Sequence, residues 1–202
     1  MPERLPDIIE PDLSVLFCGI NPGMRAAASG HHFEGRGNRF WKVLHLSGFT
    51  PIEIAPDNDR SILDYGFGLT TVVERATASA EQVAEHEFIG ASAALKHKLV
   101  RYRPGCIAFL GKSAYSALTD QRNLPWGLQA EKMGASQVWL LPNRGHTGKS
   151  SASQRSVPFL GVSEPPASNR GTRKVSSFAA YEHLHRVFSR PSADHRGDAG
   201  RR

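Results

Sequence analysis

Apolar and β-branched residues in this chain gather in short runs and do not alternate cleanly with polar ones. Leu13 to Ile20, Leu69 to Val73, Cys106 to Leu110 and Val138 to Leu141 are four such runs. A short run without alternation predicts a strand buried on both faces, as in a parallel sheet. Between the runs the apolar positions change to helical spacing. Phe40, Val43 and Leu44 share one face of a helix predicted from an Asn38 cap to about Ser47, with Gly48 where a C-terminal stop belongs. Phe88, Ala91, Leu95 and Leu99 mark the longest helix, Glu81 to Arg101, which Pro104 ends. Lys112 to Leu118 reads as a short helix, and Ser177 to Phe188 as a closing one with Phe178, Tyr181, Leu184 and Val187 on one side. Strands separated by helices predict an α/β fold, a three-layer sandwich around a central, mostly parallel sheet. No internal repeat interrupts it.

Three segments fall outside this pattern. Residues 21–37 read as a Gly-rich, charged loop. Residues 144–174 lack a core period and are rich in Ser, Gly, Pro and Arg. Six basic side chains there (Arg144, Lys149, Arg155, Arg170, Arg173, Lys174) face one acid, Glu164. A connection this long inside a domain is either functional or disordered. Residues 191–202 read as a disordered tail. The expected organisation is therefore one domain over 1–190 that carries a long basic loop.

The first run ends in Gly19-Ile20-Asn21-Pro22-Gly23. In an open α/β sheet, ligands bind beyond the carboxyl ends of the strands. Asn21 is thus a polar side chain at the expected mouth of a site. Pro22 holds the Asn21 backbone extended, and Gly23 allows a close backbone approach. On spacing alone, Asn21 reads equally as a residue that hydrogen-bonds its own turn.

Five further pieces change that balance. Phe17-Cys18-Gly19-Ile20-Asn21-Pro22-Gly23, Asn38-Arg39-Phe40-Trp41-Lys42-Val43, Leu63-Asp64-Tyr65, Leu110-Gly111-Lys112 and Leu140-Leu141-Pro142-Asn143 occur in this order. In them the chain resembles the mismatch-specific uracil-DNA glycosylases, relatives of the thymine-DNA glycosylases within the uracil-DNA glycosylase superfamily. The resemblance covers about the first three-quarters of the chain. It implies a monofunctional enzyme that hydrolyses the N-glycosidic bond of uracil in G·U-mispaired duplex DNA, starts base excision repair, and works as a monomer without a cofactor. By that resemblance Asn21 holds the attacking water, and Phe33 stacks on the flipped base. The backbone at Ile20 and Gly23 lines the pocket, with Asn143 on its opposite side. Phe33 also reads as a core plug under its loop, and Asn143 as a turn-former.

The chain departs from the family after Asn143. A short Pro-Ser-Gly-Leu-Ser-Arg type wedge is replaced by Arg144-Gly145-His146-Thr147-Gly148-Lys149, continuing to Arg155. No leucine stands in the wedge position. Arg144, Lys149 and Arg155 are the expected DNA contacts in that loop, and Asn169 is a second candidate for the position of Asn143. Phe40 and Trp41 read mainly as helix core. Glu34, the nearest carboxylate beyond the turn, reads as a solvated loop glutamate that could in principle supply a base. Lys112 reads either as a phosphate contact or as a solvated lysine.

Composition agrees without leading there. A formal net charge of +6 on 202 residues suits a polyanionic partner. Cys18 and Cys106 sit inside apolar runs and read as small core residues. Two cysteines cannot form a four-thiolate iron–sulfur site, which weighs against the iron–sulfur branches of the same superfamily. The histidines show no metal-ligand spacing, so no metal is expected. Nothing is apolar enough to span a bilayer, and the first residues do not read as a signal peptide. A cytoplasmic, bacterial-type and nucleoid-associated protein is expected. GxSxG, a P-loop lysine and GxGxxG are all missing, which weighs against a hydrolase or nucleotide-binding reading of loop 19–37. A DNA-binding module that retained the fold without turnover is the remaining alternative.

Overall fold

The handedness of two crossovers decides the layering. The computed structural model describes residues 4–142. Five strands form one sheet: β1 (Val15–Gly19), β2 (Phe67–Thr71), β3 (Cys106–Leu110), β4 (Gly127–Leu128) and β5 (Gln137–Leu141), in the order β2-β1-β3-β5-β4. All pairs are parallel except β4 with β5. The connection from β1 steps to one side, and the connection from β2 to β3 steps back across β1 to the other. Parallel crossovers are right-handed, so opposite steps place their helices on opposite faces. The first connection carries α1 (Met24–Ser29), α2 (Phe40–Leu46) and 3₁₀ turns over Pro56–Tyr65. The second carries α3 (Glu85–Tyr102), and α4 (Ser113–Thr119) follows β3.

Alternate strand residues feed the two cores. Phe17, Leu69 and Ala108 pack with Phe40, Val43 and Leu44 of α2 on one face. Leu16, Ile107 and Phe109 pack with Phe88, Leu95 and Leu99 of α3 on the other. Strands buried on both faces need no polar alternation, which is why these runs are continuous. The three-layer α/β fold expected from the sequence is the fold observed.

Local differences have local causes. Residues 21–37 are not all loop, because Arg25-Ala26-Ala27-Ala28 carries strong helix formers and builds α1. Gly30, at φ +79°, closes it with its N–H on the Ala26 carbonyl. The second strand begins at Phe67, two residues before its expected start. Val72 and Val73 lie past its end but still donate backbone bonds to Gly19 and Ile20. Helix α3 begins at Glu85 rather than at Glu81, after a single 3₁₀ turn at Ala80–Gln82. The two-residue β4 has no sequence signal of its own. For α2 the expected stop holds: Gly48 adopts φ +76°, its N–H meets the His45 carbonyl, and the Phe49 N–H meets the Leu44 carbonyl. That is the paired closure that a left-handed glycine after a helix permits. The basic segment 144–174, the helix expected at 177–188 and the tail 191–202 lie outside the described residues.

The amino-terminal segment is a strap that the sequence did not announce. Ile8 exchanges two backbone bonds with Leu69, at 2.9 and 2.8 Å. The Asp7 carboxylate accepts from Thr70 Oγ1 at 2.6 Å and pairs with Lys98 Nζ of α3 at 2.7 Å. The strap crosses β2 where Gly68 has no side chain. A Cβ at Gly68 would lie 2.7 Å from the Ile8 carbonyl oxygen and 2.6 Å from Leu13 Cδ1. Gly68→Ala is therefore expected to destabilise the protein by about 1–3 kcal/mol, the usual cost of overpacking. Urea unfolding measures it, and an unchanged midpoint would show that the strap yields freely.

Candidate active site

A cavity of about 660 Å³ opens beyond the carboxyl ends of β1, β2 and β3. Small-molecule sites occupy roughly 300–1,000 Å³, so the space admits a nucleobase and water. Its position follows from topology. The chain leaves β1 toward β2 but leaves β2 for the far side of β1, and the loops diverge where the strand order reverses. Gly19 to Ala26 form one wall and His32 to Phe40 another, with Thr71 of β2 and Leu110 of β3 at the floor. Ile20, Asn21, Gly23 and Phe33, the four expected site residues within the described segment, all line this one cavity.

Asn21 is held by the loop that follows β2. Strands β1 and β2 run in register to Gly19 and Thr71, so their exit loops leave side by side. Asn21 Nδ2 donates to the Arg75 carbonyl at 2.9 Å and to Thr77 Oγ1 at 2.7 Å, with the Pro22 carbonyl at 3.2 Å. The Thr77 hydroxyl passes its own proton to the Ser79 carbonyl at 2.7 Å. Acceptors around Nδ2 set the orientation of the amide. Both its protons are engaged, and Oδ1 meets no donor among the described residues. An amide oxygen free to accept can orient water.

Nothing local in the sequence marks Thr77. Its signal was positional: the residues after Thr71 had to emerge at the same sheet edge as Asn21. Their anchor is Arg75, which forms a two-pronged pair with Glu87 of α3 (Nε to Oε2 2.8 Å, Nη2 to Oε1 2.7 Å). Glu87 Oε1 also accepts the Ala84 N–H at 3.0 Å and so caps α3. The Arg75 hydrogen bonds, and then the Ala84 N–H, hold the Glu87 carboxyl down at about 2.

Phe33 stands where the cavity meets the core. It lines the cavity and stacks on Phe40 with ring centroids 4.0 Å apart and planes at 24°. Phe40 in turn meets Phe17 of β1 edge-on at 5.3 Å. Phe33 has φ +55°, a conformation that a bulky residue keeps only when its surroundings impose it. Buried His32 supplies that grip. Its N–H donates to Asp59 Oδ2 at 2.7 Å, its carbonyl accepts from Trp41 Nε1 at 3.1 Å, and its Nε2 donates to the Pro6 carbonyl of the strap at 2.8 Å. Burial lowers the His32 pKa, which favours the neutral ring. Phe40 and Trp41 are core, as expected.

Other side chains sort by their partners. Glu34 lines the cavity but pairs with Arg25 at 3.0 Å. Hydrogen bonds from Ser29 and Arg25 hold its carboxyl below the ordinary range, which leaves it a weak base. Among the described residues Lys112 meets no acid, and it is not simply solvated: its Nζ lies 4.2 Å from the centre of the Trp126 ring. Cys18 and Cys106 are buried, and burial pushes both thiols up, so neither supplies a thiolate. Among the described residues no three His, Cys, Asp or Glu side chains cluster to hold a metal, and no helix is long and apolar enough to cross a membrane. Asn143, Arg144, Lys149, Arg155 and Asn169 lie outside the described residues.

Residues 6–186 match the family model of the uracil DNA glycosylase superfamily. The matched span takes in the whole sheet and both walls of the cavity.

The Arg75–Glu87 pair gives the loop that carries Thr77 a pH signature. A depressed carboxyl contributes stability that is present above its ordinary value of 4.5 and is lost as pH falls through about 2. Glu87→Gln is therefore expected to melt below the wild type at neutral pH, and the gap should close between pH 4.5 and 2. Thermal melts across that range measure it. A gap that stays constant would mean that the pair contributes nothing through its charge.

Proposed function

The chain belongs to the uracil-DNA glycosylase superfamily, and from that membership we propose that it is a monofunctional glycosylase removing uracil from G·U mispairs in duplex DNA. A base in a duplex is out of reach, so the nucleotide must first swing out into a pocket. The observation that carries the reading is the Asn21 amide, whose nitrogen is engaged by Arg75 and Thr77 and whose oxygen is left to accept. Water hydrogen-bonded to Oδ1 turns a lone pair toward the anomeric carbon of the flipped nucleotide. The gain is proximity and orientation rather than strong proton abstraction. As the C1′–N1 bond breaks, uracil leaves with the bonding pair, the water oxygen bonds to the cationic C1′, and the proton that the water sheds passes through solvent to the uracil anion. Phe33 offers an aromatic wall for the base, braced from behind by Phe40. Among the described residues no lysine lines the cavity near Asn21, which favours hydrolysis over lyase chemistry.

The direct test is a duplex carrying one G·U pair, incubated with the protein and then heated in alkali. Strand scission at the uracil after alkali alone supports the reading. Scission without alkali would make the enzyme bifunctional, and binding without scission would make it a non-catalytic module.

Two variants probe the parts. Asn21→Ala is expected to bind duplex normally and lose two or more orders of magnitude in single-turnover excision, within what positioning can supply. Thr77→Val, which keeps the shape but frees the amide to rotate, should lose a smaller factor. Excision at the wild-type rate in Asn21→Ala would sink the mechanism.

Phe33→Leu keeps an apolar contact on Phe40 and removes the aromatic wall. Stacking on a base contributes about 1–3 kcal/mol. The variant should therefore stay folded and bind a uracil-containing duplex less tightly, with its affinity for undamaged duplex unchanged. Equal losses on both duplexes would make Phe33 only a core residue.

A further inference from the structure

The second feature of the carboxyl edge is the Lys112–Trp126 pair. Lys112 follows β3 by two residues, and Leu110 of that strand reaches the cavity floor. Trp126 immediately precedes β4, whose Gly127 pairs with Leu140 of β5. Because β4 is antiparallel, Trp126 stands beside the end of β5, at the same sheet edge as the cavity. Lys112 and Trp126 thus flank the β5 exit from its two sides, and the ammonium closes over the indole at 4.2 Å.

The chemistry of the pair is incomplete. Among the described residues no carboxylate lies within 4 Å of Lys112, a state it shares with Arg36 and Arg39 of the cavity wall, whereas Arg4, Arg25, Arg75, Lys98 and Arg103 have acidic partners. Partial burial lowers the Lys112 pKa, a cost that an arriving anion would reverse. Trp126 is 37% exposed, while Trp41 and Trp139 are at 5% and 1%. A rigid indole left open to solvent, with an unneutralised cation on its face, suits a ligand that is anionic and flat-sided at once. A nucleic acid backbone, with phosphates spaced between sugars and bases, has that character. The net charge of +6 is of the matching sign.

We propose that Lys112 and Trp126 form a duplex-DNA contact beside the cavity, the ammonium neutralising a backbone phosphate and the indole packing on the adjoining sugar. The contact holds the duplex against the edge on the β5 side while a nucleotide occupies the cavity on the β1 side. The proposal rests on the DNA-glycosylase reading for the identity of the polyanion, but its test needs no turnover.

The probe is an undamaged 20-base-pair duplex titrated into the full-length protein, with tryptophan emission as the readout. Duplex is expected to change the emission and to protect it from iodide, and both effects should vanish in Trp126→Phe. Lys112→Ala should reduce the slope of log affinity against log salt by about 0.9, the share of one phosphate contact on B-DNA. Trp126→Ala should bind about fivefold or more weakly, the lower end of an aromatic contact. Circular dichroism confirms that each variant is folded. Duplex binding with unchanged emission, or an unchanged salt slope in Lys112→Ala, overturns the proposal and leaves the glycosylase reading standing. Emission changes without any uracil excision would keep this contact and remove that reading. If polyglutamate of equal charge perturbs Trp126 as strongly as duplex does, the pair is a general anion site and the proposal fails.

Discussion

The hydrogen bond from Asn21 Nδ2 to Thr77 Oγ1 ties the site to the sheet. It exists because β1 and β2 are neighbours in register, so that the chain leaving Gly19 and the chain leaving Thr71 emerge together. The pairing continues past the strands, with Val72 and Val73 bonded to Gly19 and Ile20 and the Thr77 N–H bonded to the Pro22 carbonyl. An asparagine on an isolated turn would rotate its amide among water partners. Here protein acceptors around Nδ2 decide how the amide is turned. Such preorganisation matters more for an amide than for a carboxylate, since an amide has little basicity to contribute and works by placement.

The wall opposite depends on a different kind of restraint. Phe33 reaches the cavity from a backbone conformation unfavourable for an aromatic residue, and it is kept there from three directions. Phe40 stacks on its ring, Asp59 and Trp41 hold the neighbouring His32 backbone, and the Pro6 carbonyl holds the His32 ring. The strap that supplies Pro6 is anchored in turn through Asp7 to Thr70 and Lys98, on the far face of the sheet. The two walls thus draw on separate parts of the fold: the β2 exit loop for Asn21, and the aromatic core with the amino-terminal strap for Phe33. Damage to one need not loosen the other.

What the sequence disclosed follows from the range of each interaction. The four main strands and the helices α2 and α3 were legible because burial on two faces writes continuous apolar runs, and burial on one face writes helical spacing. Asn21 and Phe33 were legible through their motifs and fell into one cavity. Thr77, Arg75 and Asp7 were not, because each acts through a contact with a residue more than fifty positions away, and nothing local marks a threonine as the partner of an asparagine. Helix α1 was hidden by the glycines around it. The wedge region after Pro142, where Asn143, Arg144, Lys149 and Arg155 stand, is the part of the expected site that lies outside the described residues.

Charge is distributed unevenly around the cavity, and the pattern separates structural from available cations. Arg25 is engaged by Glu34 and Arg75 by Glu87, so both guanidiniums are occupied in positioning the loops that bear them. A phosphate approaching either would have to displace a carboxylate already bound. Lys112 presents no such competition: its partner among the described residues is the face of an indole, which attracts a cation without neutralising it. Arg36 and Arg39 on the cavity wall likewise meet no acid among the described residues, so cations open to a polyanion stand on both the β1 and the β5 sides of this edge.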